Sequence, residues 1–166
     1  RRVRENAFLL LMPSMNPDGL DIVRAWYNRN IGTPFETTGP PDIYHHYVGH
    51  DNNRDWTMFT QVETQNVARQ LYKVWFPQIV YNHHQSGPFP SRIWGPPMKD
   101  PVNPNLDPLI VSTINQLGEA MRKRFDEEEK PGYSSHMLYD IWWNGSMRGG
   151  PDYHNMAGFL TETFTS

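Results

Sequence analysis

The chain has 166 residues, of which 37% are hydrophobic and 13% aromatic, a composition that predicts one folded domain and excludes a disordered segment. Fifteen Lys and Arg against eighteen Asp and Glu give a net charge of -3 without a basic stripe, so no nucleic-acid partner is expected. The chain has no Cys, so any metal must be held by His, Asp or Glu. No apolar run approaches the ~20 residues that a membrane helix needs.

The first third of the chain predicts one strand followed by a long irregular segment. Residues 7–12 are an apolar run ended by proline, which is typical of a strand buried on both faces. Residues 16–19, Asn-Pro-Asp-Gly, then predict a turn. Residues 20–55 are expected to be mostly loop, and a loop of that length in a compact domain is usually functional.

The middle of the chain predicts a helix and then a strand. Thr60 and Glu63 have the spacing of a capping box, and apolar residues at helical spacing follow, so residues 60–75 are predicted to be helical until Pro77. Residues 78–81 predict a short buried strand, directly followed by the polar cluster 82–85, Asn-His-His-Gln. Ligands of open α/β sheets bind at such strand ends.

The last third predicts one long helix and two strands. Asp107 and Pro108 supply an N-cap and a first-turn proline for a helix that reaches about residue 125. Residues 137–141 and 159–163 are predicted strands. Strands alternating with helices indicate an α/β fold, with a mostly parallel mixed sheet covered by helices on both faces.

Residues 49–56, Gly-His-Asp-Asn-Asn-Arg-Asp-Trp, concentrate charged and amide groups in one loop. The sequence alone fits a capped turn with a surface Arg54 as well as it fits an anion site, in which the planar fork of arginine binds a carboxylate. His46 and His50 have the i, i+4 spacing of a helical metal pair, but Gly49 between them disfavours a helix.

Two further positions carry candidate chemistry. His83 and His84 follow a predicted strand, and because successive strand residues point to opposite faces, only one of them can point into a given site. Glu162 lies within a β-prone run, where an acid is usually exposed. Its functional alternative is a general base in a partly buried site.

These motifs together resemble the zinc carboxypeptidases typified by carboxypeptidase A. The matching features are Asn-Pro-Asp-Gly, then Gly-His-Asp-Asn-Asn-Arg, then a His after a buried strand and an acid in a terminal strand, in that order over about residues 7–163. The resemblance implies a carboxypeptidase-like fold, a catalytic zinc and a peptide or protein C-terminus as substrate. It also implies a secreted or periplasmic location.

The resemblance also implies a role for each matching residue. His84 would be a zinc ligand, and Asp51 would orient a zinc-bound His from behind. Asn53 and Arg54 would bind the terminal carboxylate of the substrate. Glu162 would be the catalytic general base.

Some roles stay open at the level of the sequence. Tyr139 is the candidate for the family's mobile tyrosine, with Tyr133 and Tyr153 as alternatives. Neither Arg24 nor Arg29 aligns with the arginine that polarises the substrate carbonyl. The substrate side-chain pocket is expected among residues 145–154, and its possible contributors are Asp140, Arg148 and Asp152.

The family's other two zinc ligands, a His-x-x-Glu pair, occur nowhere in the sequence. In the family that pair precedes Asn-Pro-Asp-Gly, so we expect it upstream of Arg1, and we expect the chain to be the central and C-terminal portion of one catalytic domain, truncated at both ends. Two rival functions remain: an amidase or deacylase of non-peptide or cell-wall substrates, and a carboxylate-binding module without catalysis.

Overall fold

A computed structural model describes residues 5–45, 47–86 and 91–164. These residues form a mixed α/β structure with an open four-stranded sheet, and the predicted class with a mostly parallel sheet is confirmed. No helix among the described residues is long and apolar enough to span a bilayer.

The sheet has the strand order β1-β4-β2-β3. β1 runs parallel to β4 and β2 parallel to β3, while β2 and β4 are antiparallel. The strands predicted at residues 78–81 and 159–163 are confirmed, but the first extends further, so the polar cluster 82–85 lies within it. The strands are β1 (Ile79–Ser86), β2 (Ile93–Trp94), β3 (Tyr133–Ser134) and β4 (Ala157–Phe164).

The register of β1 and β4 aligns an apolar start with a polar end. Val80 lies opposite Gly158, and His84 lies opposite Glu162. Because side chains alternate along a strand, these residues share one face of the sheet. Val80 packs on that face with Trp56 and two methionines, which leaves the polar pair at the carboxyl end of the strands.

The first predicted strand was wrong. Residues 7–12 have no regular secondary structure, and Phe8 is 96% exposed. No strand of the described ranges pairs with this segment. Without a neighbour, an apolar run can neither satisfy its backbone groups through a sheet nor bury alternate side chains.

Helix α1 (Pro17–Asn30) occupies the position of the predicted turn and early loop, so that prediction was also wrong. The Oδ1 of Asn16 accepts a hydrogen bond of 2.9 Å from the backbone N–H of Gly19. Pro17 sits in the first turn, where a missing N–H costs nothing. Asn-Pro-Asp-Gly therefore serves as a helix start, which uses the same residue types as a turn.

Helix α2 (Val62–Arg69) continues into π-helical turns at Gln70–Trp75, and Phe76 ends it in a left-handed conformation with φ of 46°. The predicted end before Pro77 is confirmed. The predicted capping box was wrong, because Thr60 donates its hydroxyl to Asp55 at 2.6 Å and Gln61 is the N-cap residue.

Helix α3 (Pro108–Glu127) is confirmed, with Asp107 Oδ1 accepting from the Leu109 N–H at 2.8 Å. Ile114 is buried and packs with Trp94, Phe159 and Leu160, so this helix covers the centre of the sheet. The strand predicted at residues 137–141 was wrong. His136 and Leu138 have φ of 60° and 68°, values that no regular strand contains.

Candidate functional site

A cleft of about 210 Å³ lies where the polar ends of β1 and β4 meet two loops. It brings together all the residues to which the motif resemblance gave a role, but of the possible pocket contributors Asp140, Arg148 and Asp152 it includes only Arg148. Its lining consists of Asp51, Asn53, Arg54, His84, Tyr139, Trp143, Ser146, Arg148, Leu160 and Glu162.

Glu162 is the most enclosed charged group of the cleft, with 5% of its surface exposed. Its Oε1 accepts a hydrogen bond of 2.8 Å from the hydroxyl of Tyr139. Its Oε2 is buried and has no hydrogen-bond partner among the described residues. Since a buried acceptor without a partner lowers stability, it calls for a functional explanation.

His84 lies beside Glu162 in the register of the sheet. Its Nε2 contacts the side-chain oxygen of Asn82 and lies 3.3 Å from Nδ2 of Asn53. Burial lowers the pKa of His84, although the charge of Glu162 acts in the opposite direction. The neutral imidazole is thereby favoured, and this is the form that binds metals.

His83 points away from the cleft. Its Nδ1 shares a hydrogen bond of 2.6 Å with the hydroxyl of Tyr81, and its Nε2 lies 3.2 Å from the hydroxyl of Thr163. The alternation of side chains along β1 thus separates the two histidines, and only His84 lines the cleft.

Asp55 anchors the loop that carries Asp51, Asn53 and Arg54. It is fully buried and accepts hydrogen bonds from the Thr60 N–H and hydroxyl and from the Gln61 N–H, while His50 Nε2 lies 3.1 Å away. Burial alone would raise the pKa of Asp55, but these hydrogen bonds outweigh it and lower the pKa to about 2. The carboxylate stays ionised and fixes the loop.

Within that loop, Asp51 and Asn53 are engaged with protein groups. Asp51 Oδ1 accepts from the Asn53 N–H at 2.8 Å and so caps the 3-10 turn Asn52–Arg54. Asn53 Oδ1 accepts from the Met147 N–H at 2.8 Å, and its Nδ2 approaches His84. Asn53 therefore joins two walls of the cleft.

Arg54 is exposed at the mouth of the cleft. One of its terminal nitrogens, Nη1, donates to the Asn53 carbonyl at 2.9 Å, and the guanidinium lies 5.6 Å from the ring centroid of Trp143. A guanidinium has five N–H donors, so most of them remain available to a ligand.

Tyr139 is the tyrosine at the site. Tyr133 donates its hydroxyl to the Pro96 carbonyl at 2.8 Å, and Tyr153 accepts from Asn103 at 2.9 Å, so both alternatives lie outside the cleft. Burial, followed by the hydrogen bond to Glu162, raises the pKa of Tyr139. The tyrosine is therefore a hydrogen-bond donor at neutral pH.

Three lining residues were not singled out by the sequence: Trp143, Leu160, and Ser146 within the expected pocket segment 145–154. Two of them lie in a loop without periodicity, so only the folded chain shows which way they face. Arg148, a possible contributor to the substrate pocket, does line the cleft. Arg24 and Arg29 are exposed on α1, away from the cleft.

The donor set for a metal is incomplete within the described ranges. No group of three or more His, Asp or Glu in them could hold an ion, and His46 lies outside those ranges. His84 supplies one imidazole beside a buried carboxylate, which fits one ligand position of a catalytic zinc but not the three protein ligands that such a site requires.

No protein-family model, curated protein or solved structure matches the chain.

Proposed function

We propose that this chain is the substrate-binding and proton-transfer portion of a zinc-dependent carboxypeptidase, which hydrolyses the last peptide bond of its substrate. The observation that carries the proposal is the buried Oε2 of Glu162, which has no hydrogen-bond partner in the described part of the chain and belongs to a cleft shared with His84 and Arg54. The motif resemblance supplies the reaction class. A secreted or periplasmic location, which the resemblance implies, belongs to the same proposal.

Arg54 is suited to bind the terminal carboxylate of the substrate. Its guanidinium is held from behind by the Asn53 carbonyl and covered on one face by Trp143, so its remaining donors are oriented before a ligand arrives. A planar fork of donors binds a carboxylate through two parallel hydrogen bonds. Binding there would direct cleavage to the chain end.

Glu162 is suited to move the proton. Tyr139 donates to Oε1, so Oε2 is the carboxylate oxygen that keeps an unused acceptor among the described residues. In the proposed reaction Oε2 takes a proton from the attacking water and later gives it to the amine nitrogen of the leaving residue, so the carboxylate is regenerated. A zinc ion, when bound, would polarise the water and the scissile carbonyl.

His84 would hold zinc through Nε2, the atom that now contacts Asn82 and Asn53. The remaining two ligands must come from outside the described residues, and the proposal assigns them to a His-x-x-Glu upstream of Arg1. We call this chain together with that upstream segment the extended protein.

The test compares the extended protein with residues 1–166 alone. We expect one equivalent of zinc by elemental analysis and hydrolysis of a blocked dipeptide in the extended protein, and neither property in the shorter chain, because binding and water activation need the completed site. A chelator should abolish turnover. An extended protein that binds carboxylates without turnover would favour the carboxylate-binding module, and equal cleavage of amidated substrates would favour the amidase.

A further inference from the structure

The cleft contains a second guanidinium that the proposed reaction leaves unused. Arg148 is partly buried, and its guanidinium lies 4.7 Å from the ring centroid of Tyr139. Among the described residues, its side chain makes no hydrogen bond and no ion pair within 4.0 Å. An arginine drawn out of water normally has a carboxylate partner, so a vacant one in a cleft indicates an anionic ligand.

The loops that carry Arg148 and Arg54 are joined by hydrogen bonds. The residue before Arg148 donates its N–H to the side chain of the residue before Arg54, since Met147 N lies 2.8 Å from Asn53 Oδ1. The Trp56 N–H also donates to the Gly145 carbonyl at 3.3 Å. These hydrogen bonds hold together the two loops that carry Arg54 and Arg148.

The Arg148 loop also rests directly on β4. A side chain at Gly158 would place its Cβ 2.4 Å from the Arg148 carbonyl oxygen, so only glycine allows the loop to lie this close to the strand. Glu162 follows on the same face of that strand. The backbone at Arg148 is thus held against the strand that carries the proposed proton acceptor.

Neither Arg54 nor Arg148 forms an ion pair within 4.0 Å among the described residues. The charges of Asp140 and Asp152 act on Arg148 from beyond that distance, and the reaction needs Glu162 as a free base. The terminal carboxylate of a peptide would neutralise Arg54 only. A second carboxylate on the same residue would neutralise Arg148.

We propose that Arg148 selects substrates whose C-terminal residue is acidic, glutamate or aspartate, by binding the side-chain carboxylate while Arg54 binds the terminal one. This inference rests on the proposed function for the reaction. Binding of a dicarboxylate to the cleft, however, can be measured without turnover.

The binding experiment uses the full chain and two ligands of nearly equal size, Nα-acetyl-glutamate and Nα-acetyl-glutamine. NMR titration of the wild type should show tighter binding of acetyl-glutamate by about 10- to 100-fold, the contribution of one charge-assisted hydrogen-bonded pair. Arg148→Met should abolish this preference, because the binding of acetyl-glutamate should weaken much more than that of acetyl-glutamine. Arg148→Lys should retain part of it, and Arg69→Met, which removes an exposed arginine of α2, should retain all of it.

Three outcomes would overturn the inference: equal wild-type affinity for the two ligands, no detectable binding of acetyl-glutamate, or an equal loss for both in Arg148→Met. The last outcome would make Arg148 a general binding or carbonyl-polarising group. In the extended protein, hydrolysis of blocked dipeptides ending in Glu or Gln separates this inference from the proposed function. Equal kcat/KM for the two dipeptides would contradict the acidic specificity but support the peptidase activity. Selective binding of acetyl-glutamate without hydrolysis of either dipeptide would support the specificity but contradict the peptidase activity.

Discussion

Two regions of the molecule bury carboxylates, and they differ in how completely those carboxylates are hydrogen-bonded. Around Asp55 in the loop before α2, three donated hydrogen bonds and His50 surround one carboxylate, and its pKa falls to about 2. Around β4, Glu162 and Asp152 each accept one hydrogen bond and keep one buried oxygen without a partner among the described residues.

The difference distinguishes a carboxylate that stabilises the fold from one that is available for binding or catalysis. A satisfied buried carboxylate stabilises the fold and leaves no acceptor for chemistry, whereas an unsatisfied one costs stability and keeps its acceptor free. Glu162 lines the cleft, where its unsatisfied oxygen is available to accept a hydrogen bond or a proton. Asp152 does not line it, and burial raises its pKa to about 7, outweighing the Gly158 N–H and the Arg148 charge that act to lower it.

The largest expected effect is on turnover at Glu162. In the extended protein, Glu162→Gln should keep the fold and one equivalent of zinc but lower kcat by roughly 10²- to 10⁴-fold, because the amide cannot accept the proton. Steady-state kinetics with elemental analysis measures both, and Glu127→Gln on the exposed side of α3 is the control. Near-normal turnover with stoichiometric zinc would remove Glu162 from the mechanism.

The next effect is a pH dependence of stability caused by Asp152. The folded protein holds this proton up to about pH 7, while the unfolded chain releases it near 3.8. Its contribution is therefore fully present below pH 4 and is lost as the pH rises to 7, by at most about 4 kcal/mol in the free energy of unfolding.

Asp152→Asn should remove this dependence, because the amide oxygen can still accept from Gly158 and carries no charge. Urea unfolding of both proteins from pH 4 to 8 measures the difference, with Asp42→Asn at an exposed position as the control. A difference between wild type and Asp152→Asn that stays constant with pH would show that Asp152 is ionised in the fold.

A smaller effect is expected for substrate recognition at Arg54. Arg54→Ala should lower kcat/KM for peptides with a free C-terminus by about one to two orders of magnitude, from a loss of roughly 1.5 to 3 kcal/mol. Peptides amidated at the C-terminus, already poor substrates, should lose little more. Equal losses for both kinds of peptide would place Arg54 outside the carboxylate site.

The smallest effect is the stability that Asp55 contributes. Asp55→Asn replaces an acceptor of several hydrogen bonds by a group that also donates, and the lowered pKa corresponds to about 2 kcal/mol of unfolding free energy at pH 7. A depressed pKa contributes stability above about pH 4, and this is lost as the pH falls towards 2. Chemical denaturation measures it, and an unchanged midpoint would mean that the loop is held by other contacts.

The sequence located the site better than it located the surrounding elements. The motif order predicted His84 and Glu162 as site residues, and the period-2 geometry of a strand predicted that only one of His83 and His84 points into the site. The helix at α1 was missed because an N-cap and a turn use the same residues. That Arg148 lacks an ion-pair partner among the described residues could not be predicted, because it depends on how loops distant in sequence pack together, as Met147 and Asn53 do.

The most direct test of the proposed reaction is mass spectrometry of a peptide incubated with the zinc-loaded extended protein in ¹⁸O-labelled water. We expect release of single residues from the C-terminus, with one ¹⁸O in the new carboxylate of the shortened peptide and much slower release from the amidated peptide. Internal cleavage, equal rates for the two peptides, or no release with zinc bound would contradict it.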